Sequence, residues 1–157
     1  MSDADHERLA WDAFGTAARE LAAQIRASGY DANVMLAIAR GGLPVVGAVS
    51  YALGVKNCAT INVEYYTGID ERLDVPVILP PLLDVADLTD ARLLVVDDVA
   101  DTGETLRLVA DTLRPSVADL RTAVLYEKSR SVVRCDYVWR RTERWIEFPW
   151  SDPPAGA

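Results

Sequence analysis

Two adjacent carboxylates, Asp97 and Asp98, follow the four apolar residues Leu93, Leu94, Val95 and Val96, and lead into Val99-Ala100-Asp101-Thr102-Gly103-Glu104-Thr105. An apolar run this short reads as a strand covered on both faces of an α/β sheet, and ligands of such sheets bind beyond the carboxyl ends of the strands. Asp97 and Asp98 can accept hydrogen bonds from paired sugar hydroxyls or hold Mg²⁺ through oxygen. Thr102, Gly103 and Thr105 surround the start of an expected helix, where unpaired backbone N–H groups and the helix dipole favour an anion. Carboxylates beside an anion cradle point to a sugar phosphate, with one segment holding both of its ends. The plainer reading is a strand-to-helix turn in which Asp101 or Thr102 caps the helix.

Three other segments carry residues suited to the same chemistry. Arg40-Gly41-Gly42 follows an apolar stretch; two glycines let backbone amides approach an anion, and Arg40 adds a permanent charge with a forked donor set. Glycine pairs after strands are more often simple turns, so this loop gains meaning only beside the acidic segment. Lys128 lies just past another apolar run and can donate to a carbonyl oxygen, the competing account being a solvated lysine at a strand end. Arg144-Trp145-Ile146-Glu147-Phe148-Pro149-Trp150 is dense in aromatics. Trp145 can form a flat apolar wall and the backbone of Ile146 can read a polar edge, while a terminal strand packing on the core accounts equally for the pattern. The single histidine, His6, falls in an N-terminus expected to fray, and no serine or cysteine has a base partner in the sequence, so covalent catalysis is not expected.

The elements that must position these residues follow from periodicity and breakers. Residues 7–28 keep helical spacing through Leu9, Phe14, Ala17, Leu21 and Ile25, with Gly29 as the stop. Residues 33–38 read as a first buried strand, 43–53 as a helix ended by Gly54, and 58–65 as a strand. Residues 67–74 are polar and 75–83 contain Pro76, Pro80 and Pro81, so this stretch is expected to leave the sheet as an irregular excursion. The sheet resumes with 92–96, followed by a helix over 103–113 and strands over 121–126 and 137–139; the tail 151–157, with two prolines, is expected to be loose. Strands alternating with helices indicate an α/β fold with a mainly parallel sheet.

Composition bounds the function classes. The 157 residues suit a single domain, 1–157, with a sizeable core, at 50% hydrophobic and 25% charged residues. No apolar run reaches the roughly 20 residues of a membrane span, and the acidic start is unlike a secretory leader, so a cytoplasmic protein is expected. A formal charge of −8 argues against nucleic acid as the main partner. The basic residues Arg130, Arg134, Arg140, Arg141 and Arg144 are interleaved with Asp136 and Glu143, as in a solvated face or a subunit contact. Cys58 and Cys135 lack metal-ligand spacing and are expected to be core thiols, without disulfide or zinc.

The segment 93–105 closely resembles the signature of the type I phosphoribosyltransferases. The Arg40-Gly41 pair and the Trp-Ile-Glu-x-Pro-Trp pattern at 145–150 resemble the bacterial xanthine-guanine branch. The resemblance implies a mainly parallel twisted sheet flanked by helices, with a small hood at about 64–85. It also implies phosphoribosyl diphosphate and a 6-oxopurine as substrates, with Mg²⁺, in purine salvage. On that resemblance Asp97 and Asp98 serve the ribose hydroxyls and the metal, and Thr102, Gly103, Glu104 and Thr105 wrap the 5′-phosphate. Arg40 and Gly41 meet diphosphate, joined by Arg72 from the hood, although the proline-rich stretch departs from the better-known enzymes. Asp101 stands where adenine and orotate enzymes lack a carboxylate and 6-oxopurine enzymes carry one. It would act beside Asp98 and Arg40 as a catalytic residue, taking a proton from the base. Lys128 would contact the purine O6, with Trp145 and Ile146 lining the base. The family implies a homodimer or homotetramer. The rival readings are a regulator that binds phosphoribosyl diphosphate without turnover, a transferase for another nucleobase, and a receiver domain. Receiver domains place their acidic pair on the first strand, whereas some ninety residues precede this one.

Overall fold

Leu93, Leu94, Val95 and Val96 are all 0% exposed because alternate side chains of their strand enter two different cores. Leu94 and Val96 join Met35 and Ala37 on one side of a sheet, while Leu93 and Val95 join Leu36 and Ile38 on the other. This is the two-sided burial that a continuous apolar run calls for.

The computed structural model describes residues 5–68, 71–79 and 88–151. Its elements are β1 (His6–Arg8), α1 (Trp11–Ala27), β2 (Val34–Ala39), α2 (Gly42–Leu53), β3 (Cys58–Gly68), β4 (Glu71–Leu79), β5 (Arg92–Ala100), α3 (Glu104–Leu113), β6 (Asp119–Glu127), β7 (Tyr137–Arg141) and β8 (Trp145–Glu147). Six strands form a sheet in the order β4-β3-β2-β5-β6-β7, parallel throughout except between β3 and β4. Helices α1 and α2 cover one face with Phe14, Leu21, Ile25, Val45 and Val49; α3 covers the other with Leu106, Val109 and Leu113. The apolar stripe of α1 recurs every three or four residues, and α2 stops at Gly54, whose φ of 74° supplies the left-handed cap.

Long-range pairing moved several expected boundaries. The first helix begins at Trp11 rather than at residue 7, because residues 6–8 pair in parallel with β8. His6 is therefore not frayed: its Nδ1 lies 2.9 Å from Glu147 Oε1. β5 runs on to Ala100, held by β6 through Asp97 opposite Val124 and Ala100 opposite Glu127, so the acidic pair sits inside the strand rather than beyond it. The excursion after β3 is in part an antiparallel β3–β4 hairpin; Pro76 is tolerated there because β4 is an edge strand, while 80–87 lie outside the described residues. The tail beyond Ser151 also lies outside them. Cys135 is buried as expected, but Cys58 opens β3 and is exposed. Among the described residues no helix is long and apolar enough to cross a membrane.

Candidate active site

β2, β5 and β6 are parallel neighbours, so the turns leaving their carboxyl ends emerge along one edge of the sheet. The turn after β2 and the acidic pair are in direct contact. A Cβ at Gly41 would lie 2.6 Å from Asp98 Oδ1 and nearer still to its Oδ2, and a Cβ at Gly42 would lie 2.5 Å from the Val96 carbonyl oxygen. Only glycine permits that approach. The Ala39–Arg40 peptide bond is cis, and Arg40 is exposed at this turn.

Asp97 and Asp98 are half-buried and, among the described residues, meet only neutral donors. The Asp98 N–H donates to Asp97 Oδ1 at 2.9 Å, the Val99 N–H to Asp98 Oδ1 at 2.8 Å, and the Trp150 indole Nε1 to Asp98 Oδ2 at 3.2 Å. Burial pushes both carboxyls above the ordinary aspartate range, and the neighbouring charge of Asp98 pushes Asp97 further. Among the described residues neither forms an ion pair with a lysine or arginine. Two such oxygens favour what the protein does not itself provide, a hard cation or hydroxyl donors. No group of three or more metal-binding side chains occurs among the described residues. A pair of carboxylates suits Mg²⁺, which commonly completes its shell with water and substrate oxygens.

Neither Asp101 nor Thr102 is the cap of α3; Gly103 takes that position with φ 77°. Thr102 Oγ1 accepts a long 3.4 Å bond from the Glu104 N–H. The Glu104 carboxylate is turned along the helix into an ion pair with Arg107, so this residue offers its backbone N–H rather than its side chain. The first turn of α3, with Thr105 half-buried on it, remains the expected place for an anion. Asp101 is directed elsewhere. Its Oδ1 accepts from Arg130 Nε at 2.8 Å and from Arg130 Nη2, and it lies 3.6 Å from Lys128 Nζ. Arg130, which in sequence looked like part of a solvated face, is thus a neighbour of the site.

Asp101, Lys128, Trp145 and Ile146, from three separate stretches of chain, line one cavity of about 150 Å³ with Val99 and Phe148. Lys128 is only 7% exposed, which removes the solvated-lysine account, and its Nζ stands 5.9 Å from the centre of the Trp145 ring. Trp145 itself is 60% exposed, leaving a ring face open, whereas Ile146 is buried in β8. Phe148 stacks on Trp150 with ring centres 5.0 Å apart, and Trp150 reaches Asp98, so an aromatic pair links the cavity to the carboxylates. Sequence reasoning missed Trp150 as a partner of Asp98; its signal is a half-buried indole N–H that needs an acceptor. Arg72 falls on β4 opposite Tyr66, and its side chain lies outside the described residues.

A mainly parallel sheet with a glycine turn abutting an acidic pair, a helix start and an aromatic cavity at the carboxyl ends of its strands defines an α/β protein with its site where such sheets bind ligands. Residues 7–154 match the phosphoribosyl transferase domain, and the chain belongs to the phosphoribosyltransferase family, a class of glycosyltransferases. It is 31% identical to a xanthine-guanine phosphoribosyltransferase of Ruegeria sp. (strain TM1040), over 92% of this chain and 86% of that protein. A xanthine-guanine phosphoribosyltransferase of Idiomarina loihiensis is 30% identical over 90% of this chain and 84% of its own length. The crystal structure of a purine phosphoribosyltransferase from Pyrococcus horikoshii matches with a TM-score of 0.82 at 36% identity, covering 96% of each chain.

Proposed function

We propose that the protein transfers the 5-phosphoribosyl group from phosphoribosyl diphosphate to a 6-oxopurine, namely guanine, xanthine or hypoxanthine, and releases diphosphate. The observation that carries this reading is the single cavity shared by Asp101, Lys128 and Trp145, adjoining the Asp97–Asp98 pair through Phe148 and Trp150. In the reaction the bond from ribose C1 to the diphosphate oxygen breaks, its electron pair leaving with diphosphate. A bond from C1 to a purine nitrogen forms, and the proton of that nitrogen passes to Asp101. Positive charge develops on the sugar, so alignment and leaving-group stabilisation dominate.

Each segment has a part. Arg40, the Gly41 amide and Arg72 receive diphosphate, and the amides at Gly103 and Glu104 with the hydroxyls of Thr102 and Thr105 receive the 5′-phosphate. Asp97 and Asp98 accept from the ribose hydroxyls and would hold Mg²⁺. When bound, that ion neutralises the leaving diphosphate as a Lewis acid. Lys128 donates to O6, which the amino group of adenine cannot accept. Trp145 stacks on the base and the Ile146 backbone reads its edge. The setting would be purine salvage in the cytoplasm, by a homodimer or homotetramer. Incubation with phosphoribosyl diphosphate, Mg²⁺ and each nucleobase separately should release diphosphate with 6-oxopurines and stop on chelation of the metal. No release with any base would leave a phosphoribosyl-diphosphate-binding regulator as the better account.

A further inference from the structure

Glu127 is the last residue of β6, stands next to Lys128, and is 0% exposed. Acids reach that depth only when paired, and this one is enclosed by directed donors. Its Oε2 accepts the Cys135 N–H at 2.7 Å; its Oε1 accepts Arg141 Nε at 3.1 Å and lies 3.5 Å from Arg134 Nη1. Both arginines are largely exposed and reach inward from different segments, Arg141 from β7 and Arg134 from the loop after Lys128. A buried ion pair stabilises a fold poorly compared with a well-packed apolar side chain of similar volume. What the carboxylate provides and a leucine would not is two oriented acceptors.

Those acceptors close the 128–135 loop like a clasp. Arg134 also donates to the carbonyls of Lys128 at 3.4 Å and Ser129 at 2.8 Å, and Ser131 N–H donates to the Lys128 carbonyl at 3.1 Å. On the other side, Lys128 N–H donates to the Ala100 carbonyl at 3.0 Å and Val132 N–H to the Thr102 carbonyl at 2.8 Å. A Cβ at Gly103 would lie 3.0 Å from the nitrogens of both Val132 and Val133. The clasped loop therefore bears on the turn that starts α3, and it carries Lys128 and Arg130, both of which face Asp101.

We propose that Glu127 is a positioning residue: it sets the 128–135 loop so that Lys128 reads the base, and it ties the base cavity to the 101–103 turn. The role rests on the 6-oxopurine reading of that cavity. Glu127→Gln keeps the shape and one acceptor but loses the charge, and Arg141→Leu removes one exposed partner while leaving Glu127 in place. The constants are measured well below each variant's melting temperature, for each 6-oxopurine, for adenine and for phosphoribosyl diphosphate, beside calorimetric titration with GMP as a turnover-free probe.

The expected result for Glu127→Gln is a rise of about tenfold in KM for the 6-oxopurine, as when one charge-assisted contact is lost. Discrimination against adenine and GMP affinity should both fall, with kcat much less affected. Arg141→Leu should move the same quantities by less. A merely structural clasp would lower the melting temperature and leave these constants alone, and that outcome overturns the proposal. Should Glu127→Gln not fold, unchanged base constants in Arg141→Leu overturn it equally. Wild-type protein that binds GMP yet releases no diphosphate refutes the transfer reaction, and the GMP affinities of the variants still decide the role of Glu127.

Discussion

Replacing Gly41 by alanine adds one methyl group where the β2–α2 turn meets Asp98. The new Cβ would lie 2.6 Å from Asp98 Oδ1, with Cγ and Oδ2 nearer, where ordinary contact needs 3.4–4 Å. The obstacle is a rotatable carboxylate, so the clash is relieved by turning Asp98 away. That movement gives up its bond from Trp150 Nε1, and a hydrogen bond to a charged group contributes about 1.5–3 kcal/mol. If Asp98 serves ribose and Mg²⁺, losing one such contact weakens phosphoribosyl diphosphate binding roughly 10–150-fold, at about 1.36 kcal/mol per factor of ten. Gly42→Ala is the internal control, because there the methyl meets the Val96 carbonyl at 2.5 Å, in the middle of the sheet. Backbone of a central strand cannot rotate aside, so the cost of about 1–3 kcal/mol should fall on the fold, at about 2–4 °C of melting temperature per kcal/mol. Calorimetric titration of phosphoribosyl diphosphate with Mg²⁺, paired with thermal melts, separates the two. Gly41→Ala with wild-type affinity, or Gly42→Ala losing affinity without melting lower, would refute this account of the juxtaposed loops.

Asp101→Asn should lower turnover by about 10²–10⁴-fold, the usual contribution of a positioned general base, with phosphoribosyl diphosphate affinity little changed; unaltered kcat removes Asp101 from the proton transfer. Lys128→Met should raise KM for 6-oxopurines about 10–150-fold and shrink their advantage over adenine, and equal effects on both bases would contradict an O6 contact. Burial alone would raise the pKa of Glu127, but the Cys135 N–H and Arg141 outweigh it and hold the group below the ordinary glutamate range. Its contribution to stability is therefore full above the unfolded value of about 4.3 and lost as pH falls through the folded one, so melting temperature should drop in acid less steeply for Glu127→Gln than for wild type. Iodoacetamide should modify Cys58 alone in the native protein, because Cys135 is buried and its thiol is pushed up to about 12; a second adduct by mass spectrometry would contradict that burial.

Much of the site was legible where chemistry is local. The run 93–105 encodes a buried strand, paired oxygens and a helix start in consecutive residues, and its apolar pattern and glycine need no distant partner to be read. The same holds for α1, α2 and α3, whose stripes and stops come from neighbours three or four positions apart. Errors arose where the deciding partner lies far along the chain. His6 looked frayed because its partner, Glu147, is 141 residues away, and Cys58 looked buried because strand propensity does not tell which strand end faces solvent. The β3–β4 hairpin was hidden by Pro76, which an edge strand such as β4 can accept.

Residue order thus established which groups exist and which lie on one turn: the Asp97–Asp98 pair, the Gly41–Gly42 turn, the start of α3. Folding settled which of them meet. Asp101 passed from possible helix cap to partner of Lys128 and Arg130, Trp150 came to donate to Asp98 across 52 residues, and Glu127 became a buried acceptor for the 128–135 loop beside the cavity of Asp101 and Lys128. The physical reason is that side-chain type and helical or strand period are short-range properties of the chain. Charge pairing and burial depend instead on parallel strands whose carboxyl ends are brought together only when β2, β5 and β6 lie side by side.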